Sequence, residues 1–173
     1  ILKNIKKNII PKNIIRSMKS SVKHGIISKA NIIFGFPFET KYDVLKSMVF
    51  IMRLAYSGVH TITISPFAPY PGSELFTLLR AKNKIPQLND DYFLSLLSIS
   101  DLKNNTSYSN SYSNHFLTAA QLIGYLLFFG ISFLVRPFRF YVLLRNIVTG
   151  KHETRLDKAL SSLVFRILHW KTK

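Results

Sequence analysis

The chain has 173 residues, 47% of them hydrophobic, which is enough to build one ordinary domain with its own core. It carries 24 Lys and Arg against 8 Asp and Glu, a formal net charge of +16, so its surface must attract polyanions. The absence of cysteine excludes a disulfide framework, a thiolate nucleophile and a thiolate metal site within this chain.

The start of the chain predicts part of a longer protein, and the absence of cysteine fits a cytosol-facing location best. The first residue is Ile1 and no signal-peptide pattern follows it, so we expect the C-terminal piece of a longer protein. Basic residues concentrate before Gly25 and again from Arg136 onward, which suits nucleic acid, an anionic lipid surface or an acidic partner. Nucleic acid is the least favoured of these, because the sequence has no RNP, KH or zinc-finger pattern.

Hydrophobic periodicity predicts a strand–helix–strand unit after an amphipathic helix at Pro11–His24. Two β-branched runs, Ala30–Gly35 and His60–Ser65, predict the strands. The connecting helix should run from Thr40 to Gly58, with Thr40 and Asp43 forming a short capping box. A βαβ unit of this length should have a right-handed crossover and parallel strands.

Parallel strands would bring the loops Gly35–Glu39 and Ser65–Gly72 together at one edge of the sheet. Strand alternation places one set of side chains on the face that would line the cavity of a barrel: Asn31, Ile33, Gly35, Thr61, Thr63 and Ser65. The apolar alternates should meet the helices. Ser73 should then cap a further helix that ends near Ala81.

The second half of the chain is predicted as a linker followed by a helical tail. Residues 86–115 are assigned to an irregular linker, because the sequence is rich in Ser, Asn and Tyr from Ser98 onward. Residues 116–173 are assigned to a basic, hydrophobic tail with a last helix at Leu156–Trp170. Its charge-free run Phe116–Val135 is long enough to cross a hydrocarbon core, and Arg136, Arg139 and Arg145 follow it. Spanning and in-plane contact both stay open, and a cytosolic barrel favours the in-plane or peripheral mode.

The two strand-to-loop phrases resemble a known family. IIFGFPFET is similar to the fifth-strand phrase, and SPFAPYPGSEL to the sixth-strand phrase, of radical S-adenosylmethionine enzymes in the branch that often carries a cobalamin-binding domain upstream. The resemblance covers residues 1–85. It implies an α/β fold, a partial (β/α) barrel of two parallel strands with their helices, followed by an α-helical C-terminal extension.

The resemblance also implies cofactors and site residues. Ile33 and Gly35 match positions that line the adenine side of S-adenosylmethionine, and Ser65 and Phe67 match the end of the next strand. The longer parent would hold a 4Fe-4S cluster and, in this branch, cobalamin. The CxxxCxxC motif that binds the cluster is missing here, so this chain alone should be inactive and offers no catalytic or metal-binding residue. Phe38 stands where the family usually has Gly, which disfavours a positive φ in that loop.

Other side chains have simpler interpretations. Glu39 and Glu74 are each interpreted as acids at a helix start, where the helix dipole stabilises their charge. The five histidines are scattered, which gives no support to a metal site built from them. A second hypothesis is a non-enzymatic, basic, membrane-associated helical protein. For the enzyme we expect a small-molecule or lipid-like substrate and a cytoplasmic location, peripheral or integral at the inner face of the membrane.

Overall fold

The computed structural model describes residues 1, 5–97, 106–151 and 155–170. It confirms the predicted α/β class: two parallel strands and seven helices occur within these ranges. In chain order the elements are α1 (Pro11–Lys23), β1 (Lys29–Phe34), α2 (Lys41–Ser57), β2 (Thr61–Pro66), α3 (Glu74–Ala81), α4 (Asp90–Leu97), α5 (Asn114–Val135), α6 (Phe138–Thr149) and α7 (Arg155–Trp170).

The βαβ unit has the predicted geometry. β1 and β2 pair in parallel, in a register that runs from Lys29 opposite Thr61 to Phe34 opposite Pro66. Thr40 and Asp43 form the predicted capping box at the start of α2, because the Thr40 hydroxyl accepts from the Asp43 amide and the Asp43 carboxylate accepts from the Thr40 amide. The two strands differ by one residue from their predicted bounds, which is an ordinary uncertainty at strand ends.

One face of the two-stranded sheet is covered by α2 and α5. The side chains that fill this layer are almost completely buried and apolar, as predicted for the helix-facing set: Phe34, Ile51, Leu54, Ile62, Ile64, Leu117 and Phe128. On the opposite face Asn31 and Ile33 are exposed. On β2 the same face is buried at Thr61 and half-buried at Thr63 and Ser65. Within the part of the chain that the structure describes, the sheet is therefore closed on one side and partly open on the other.

α5 is bonded to the sheet as well as packed on it. Gln121 Nε2 donates to the Ile64 carbonyl at 3.1 Å, and the Tyr125 hydroxyl accepts from the Ile64 amide at 2.9 Å. These bonds satisfy backbone groups of β2 that would otherwise be left unpaired. By length and composition α5 could cross a membrane, but the same would be true of a helix in the core of a soluble protein.

The two arginines after α5 bind the C-terminal end of α2. Arg136 donates to the Tyr56 carbonyl at 3.2 Å, and Arg139 donates to the carbonyls of Gly58, at 2.6 Å, and Val59, at 2.8 Å. Cations at a helix C-terminus are favoured by the helix dipole and by the unpaired carbonyls there. These two charges therefore serve the packing of the tail on α2, in addition to any role as the cytosolic flank of the apolar run.

One helix lies where the sequence analysis predicts an irregular linker, and another adds detail to the predicted helical tail. α4 falls inside residues 86–115, which were assigned to a linker, and its Tyr92 and Leu96 pack against Phe76 of α3. Asn89 supplies the start signal that could have predicted it, because its side chain accepts from the Tyr92 amide at 3.0 Å. α6 separates α5 from the predicted last helix, which is present as α7. Of the predicted linker, residues 98–105 lie outside the described ranges.

Candidate cofactor-binding rim

Ile33 and Ser65 lie side by side on the open face of the sheet. They are directly opposite each other in the β1–β2 register, one position before the end of β1, and Ile33 is 43% exposed. The next pair on the same face is Asn31 and Thr63. The Thr63 hydroxyl is buried and has no hydrogen-bond partner among the described residues. The open face therefore offers the exposed, apolar Ile33 beside the half-buried Ser65 at the carboxyl edge of the sheet, and the Thr63 hydroxyl is not accessible from it.

Gly35 does not continue the cavity-facing row, although alternation predicts that it should. β1 ends at Phe34, and Gly35 has a φ of +94°, which turns the chain out of the strand direction. A Cβ at Gly35 would lie 3.5 Å from the Leu117 side chain in the core and 3.6 Å from the Phe67 backbone nitrogen. Both distances are ordinary van der Waals contacts, so the positive φ, and not a lack of space for a Cβ, is what favours glycine at this position. Contact between Gly35 and a cofactor stays a prediction.

Phe67 belongs to an aromatic cluster at the same edge. Its ring lies 4.8 Å from Phe36 and meets the edge of Tyr108 at 5.9 Å, between ring centroids. Phe38 stacks on Phe36 at 5.8 Å and is not among the described residues with a positive φ. Burial raises the pKa of the Tyr108 phenol to about 12, so it stays neutral. The loop after β1 thus accommodates Phe38 at the position where radical S-adenosylmethionine enzymes usually have glycine, and the Phe38 ring is part of the aromatic cluster.

Glu39 is not simply the helix-start acid that the sequence analysis favours. Its side chain is completely buried, and the capping box of α2 uses Asp43 instead. The Glu39 carboxylate accepts from the Gly35 amide at 2.5 Å and from the Tyr112 hydroxyl, and the Tyr112 oxygen also accepts from the Gly35 amide at 3.0 Å. Ser109 adds a bond to the Glu39 carbonyl at 2.7 Å. The segment before α5 therefore fixes the loop after β1.

The electrostatics of this pair follow from its burial. Desolvation raises the pKa of Glu39, and the hydrogen bonds from Tyr112 and Gly35 oppose the rise only in part. Burial and the neighbouring Glu39 raise the pKa of Tyr112 as well, so the phenol keeps its proton and donates it to the carboxylate. Among the described residues, Glu39 Oε1 has no partner. Glu39 and Tyr112 therefore form a buried support for Gly35 and are not an acid and a base exposed to substrate.

The raised pKa of Glu39 gives a pH-dependent stability with a definite sign. Because the folded-state pKa lies above the unfolded value, the native state holds this proton more tightly, and its contribution is full below about pH 4.5. It is lost as the pH rises through the folded pKa. We expect the free energy of unfolding of the wild-type chain, relative to Glu39→Gln, to fall as the pH rises above about 4.5. Urea unfolding of both proteins across this range measures the difference, and a difference that rises with pH would contradict the assignment.

A cavity of about 290 Å³ lies at the other end of the sheet, beside the residues that precede the two strands. Its lining mixes aromatic and polar side chains: His60, Phe129, Ser132, Phe133, Phe138, Arg139, Asn146 and Asp157. The polar groups bond to one another, with Arg139 donating to Ser132 at 2.9 Å and Asn146 to Asp157 at 3.2 Å. Burial and the charges of Arg139 and Arg136 lower the pKa of His60. This cavity joins α5, α6 and α7 and does not include the four predicted site residues.

The donor set does not fit an iron–sulfur cluster. The chain has no cysteine, and within the described ranges no three His, Asp or Glu side chains come together as a metal site would require. A small organic cofactor fits better, because the open face presents the exposed, apolar Ile33 beside the half-buried Ser65 at the carboxyl end of the strands. Any cluster of the whole protein would have to be bound by residues outside this chain.

No protein-family model matches the chain. The chain is similar to an uncharacterized methyltransferase of Pyrococcus horikoshii, with 31% identity over 107 residues. The aligned part covers 62% of this chain and 23% of the Pyrococcus protein, so the chain spans less than a quarter of that relative's length. This likeness is to part of a protein that is named a methyltransferase. It has no bearing on an iron–sulfur cluster or on cobalamin.

Proposed function

We propose that this chain forms one wall of the S-adenosylmethionine and substrate cavity of a radical S-adenosylmethionine enzyme. The observation that carries the proposal is the half-open sheet, in which Ile33 and Ser65 are neighbours on the partly open face while α2 and α5 fill the other. Strands of a complete barrel present such a face to the central cavity, and ligands bind at their carboxyl ends. The two ordered sequence phrases and the likeness to a methyltransferase support the same assignment.

In this proposal each site residue has a physical role. Ile33 provides an apolar surface for the adenine ring, and Ser65 beside it provides a hydrogen-bonding hydroxyl. Phe67, held by Phe36 and Tyr108, forms an aromatic border that keeps water from the carboxyl edge. Gly35 contributes backbone, held in place by Glu39 and Tyr112. These residues bind and orient, and none of them is assigned a proton or electron transfer.

The bound cofactor would supply either a transferable methyl group or a deoxyadenosyl radical. Methyl transfer is the outcome that the similarity to a methyltransferase favours. Cobalamin, if the whole protein uses it, would bind upstream of this chain. Substrate contacts fall on the same open face, so a small-molecule or lipid-like substrate would approach from the side where Asn31 and Thr63 lie.

Replacing Ile33 by aspartate in the full-length protein tests the assignment. We expect the dissociation constant for S-adenosylmethionine to rise at least about tenfold, because a charged carboxylate would replace the apolar surface under the adenine. Equilibrium dialysis with labelled S-adenosylmethionine measures the affinity. The same protein should carry a CxxxCxxC motif upstream of Ile1 and should bind iron.

Ile26→Asp is the matched control. Ile26 is also an isoleucine outside the core, 58% exposed, but it precedes β1 and so lies at the other end of the strand. Both changes replace an exposed side chain, so neither should alter the stability of this chain by more than about 0.5 kcal/mol. Equal affinities for the two variants and the wild type would rule out the proposed adenine surface. An upstream frame without the cysteine motif would rule out the radical enzyme.

A further inference from the structure

The outer side of α5 is apolar from Leu122 to the C-terminal end of the helix. The side chains that face away from the sheet and from α2 are exposed and hydrophobic: Leu122, Ile123, Leu126 and Leu134. A helix on the surface of a soluble protein normally carries polar residues on its solvent side. Leu134, near the C-terminal end, is 84% exposed. Something other than water is therefore expected to cover this stripe.

α6 extends the same surface. The side of α6 opposite its buried residues Leu143 and Asn146 also carries exposed apolar side chains: Phe138, Phe140, Tyr141, Leu144 and Val148. The ring of Phe133 in α5 meets that of Phe140 in α6 at 5.8 Å, which joins the two helices into one surface. We call this set of nine exposed residues on α5 and α6 the outer apolar face. Continuous exposed apolar surfaces of this kind mark sites of protein or membrane contact.

The charge around the outer apolar face favours an anionic partner. From Leu102 to His152 the sequence has no Asp or Glu, while Arg145 lies among the exposed side chains of α6 and Lys151 follows that helix. Phenylalanine and tyrosine beside arginine and lysine are typical of helices at a lipid–water interface, where aromatic rings enter the headgroup region and cations meet phosphate. A protein partner would more often offer charges of both signs.

We propose that the outer apolar face binds the surface of an anionic lipid bilayer, with α5 and α6 lying in the plane of the interface. Crossing the bilayer would require α5 to leave the sheet, which would break the bonds of Gln121 and Tyr125 to Ile64 and expose the core around Phe128. In-plane contact keeps those bonds and covers only the side that is now exposed. The inference does not depend on the proposed enzymatic function.

The test is flotation of the full-length protein with vesicles of phosphatidylcholine alone or mixed with phosphatidylglycerol. We expect binding to the mixed vesicles, weakened by salt, and little binding to the neutral ones. Leu134→Gln/Val148→Gln removes two of the most exposed apolar side chains of the face and should reduce vesicle binding at least about tenfold. The fold should tolerate it, because neither side chain is buried.

The control is Leu45→Gln/Tyr56→Gln, which removes two exposed side chains from α2, outside the outer apolar face. It should leave vesicle binding unchanged. Equal loss in both double variants, or equal binding to neutral and anionic vesicles, would overturn the proposal. So would a wild-type protein that binds no vesicles but changes its oligomeric state with Leu134→Gln/Val148→Gln, because the face would then be a protein interface.

Discussion

Replacing Glu39 by alanine is expected to lower the free energy of unfolding by about 3 kcal/mol. The carboxylate is completely buried and accepts from the Gly35 amide and the Tyr112 hydroxyl. Its loss would leave the donors with fewer acceptors in a site that water does not reach, and would also leave a small void. Because the loop after β1 forms the rim, we expect its amides to exchange hydrogen faster as well.

Glu74→Ala is the control for this change. The sequence analysis gives Glu74 the same interpretation, a helix-start acid, and here the structure agrees: Glu74 opens α3 after the Ser73 cap and forms an exposed ion pair with Lys6 at 2.7 Å. An exposed pair and a helix dipole contribute less than about 1 kcal/mol. Urea unfolding of both variants gives the comparison. Similar decreases in the free energy of unfolding for Glu39→Ala and Glu74→Ala would contradict the role of buried support that we assign to Glu39.

The partner of Glu39 can be tested in the same experiment. Tyr112→Phe removes the hydroxyl and keeps the ring, which packs against Phe116 at 4.9 Å between centroids. If Glu39 and Tyr112 act as a unit, the cost of the two changes together should be smaller than the sum of their separate costs. Additive costs would indicate two independent sites.

Local signals explain what the sequence could predict. The capping box at Thr40 and Asp43, the Ser73 cap of α3 and the alternation of β1 and β2 each depend on residues a few positions apart. The parallel pairing then follows from the length and handedness of the crossover. These features predict that Ile33 and Ser65 share one face, and the register confirms that they are neighbours.

Contacts between residues far apart in the chain explain what the sequence could not predict. Glu39 is buried because Tyr112, 73 residues further along, reaches its carboxylate, and no local pattern at Glu39 indicates that contact. Arg136 looks like the charged flank of an apolar run until the structure places it against the carbonyl end of α2. Gly35 departs from alternation because its positive φ ends the strand one residue early. In each case the deciding interaction comes from the packing of α5 and its flanks on the βαβ unit.

Packing of this kind makes Gly124 the position where substitution should do most damage to α5. A Cβ at Gly124 would lie 2.5 Å from Ile64 Cδ1 and 3.4 Å from Ile51 Cδ1, so the helix backbone approaches the sheet and α2 through the space that glycine leaves. Gly124→Leu would place a whole side chain there. We expect the free energy of unfolding to fall by about 3 kcal/mol, the upper end of the usual cost of overpacking a core.

Gly130→Leu makes the same change six residues later in the same helix, where a Cβ would have no neighbour within 4 Å. Leucine favours a helix more than glycine does, so the free energy of unfolding of this variant should rise by up to about 1 kcal/mol. Urea unfolding followed by circular dichroism measures both. Changes of opposite sign in the free energy of unfolding of the two variants would show that α5 is held against β2 through Gly124. Two decreases of similar size would mean that the helix does not dock as described. Because Gln121 and Tyr125, on either side of Gly124, bond the same Ile64, a shift of α5 should also release the outer edge of β2 and with it the strand that carries Ser65.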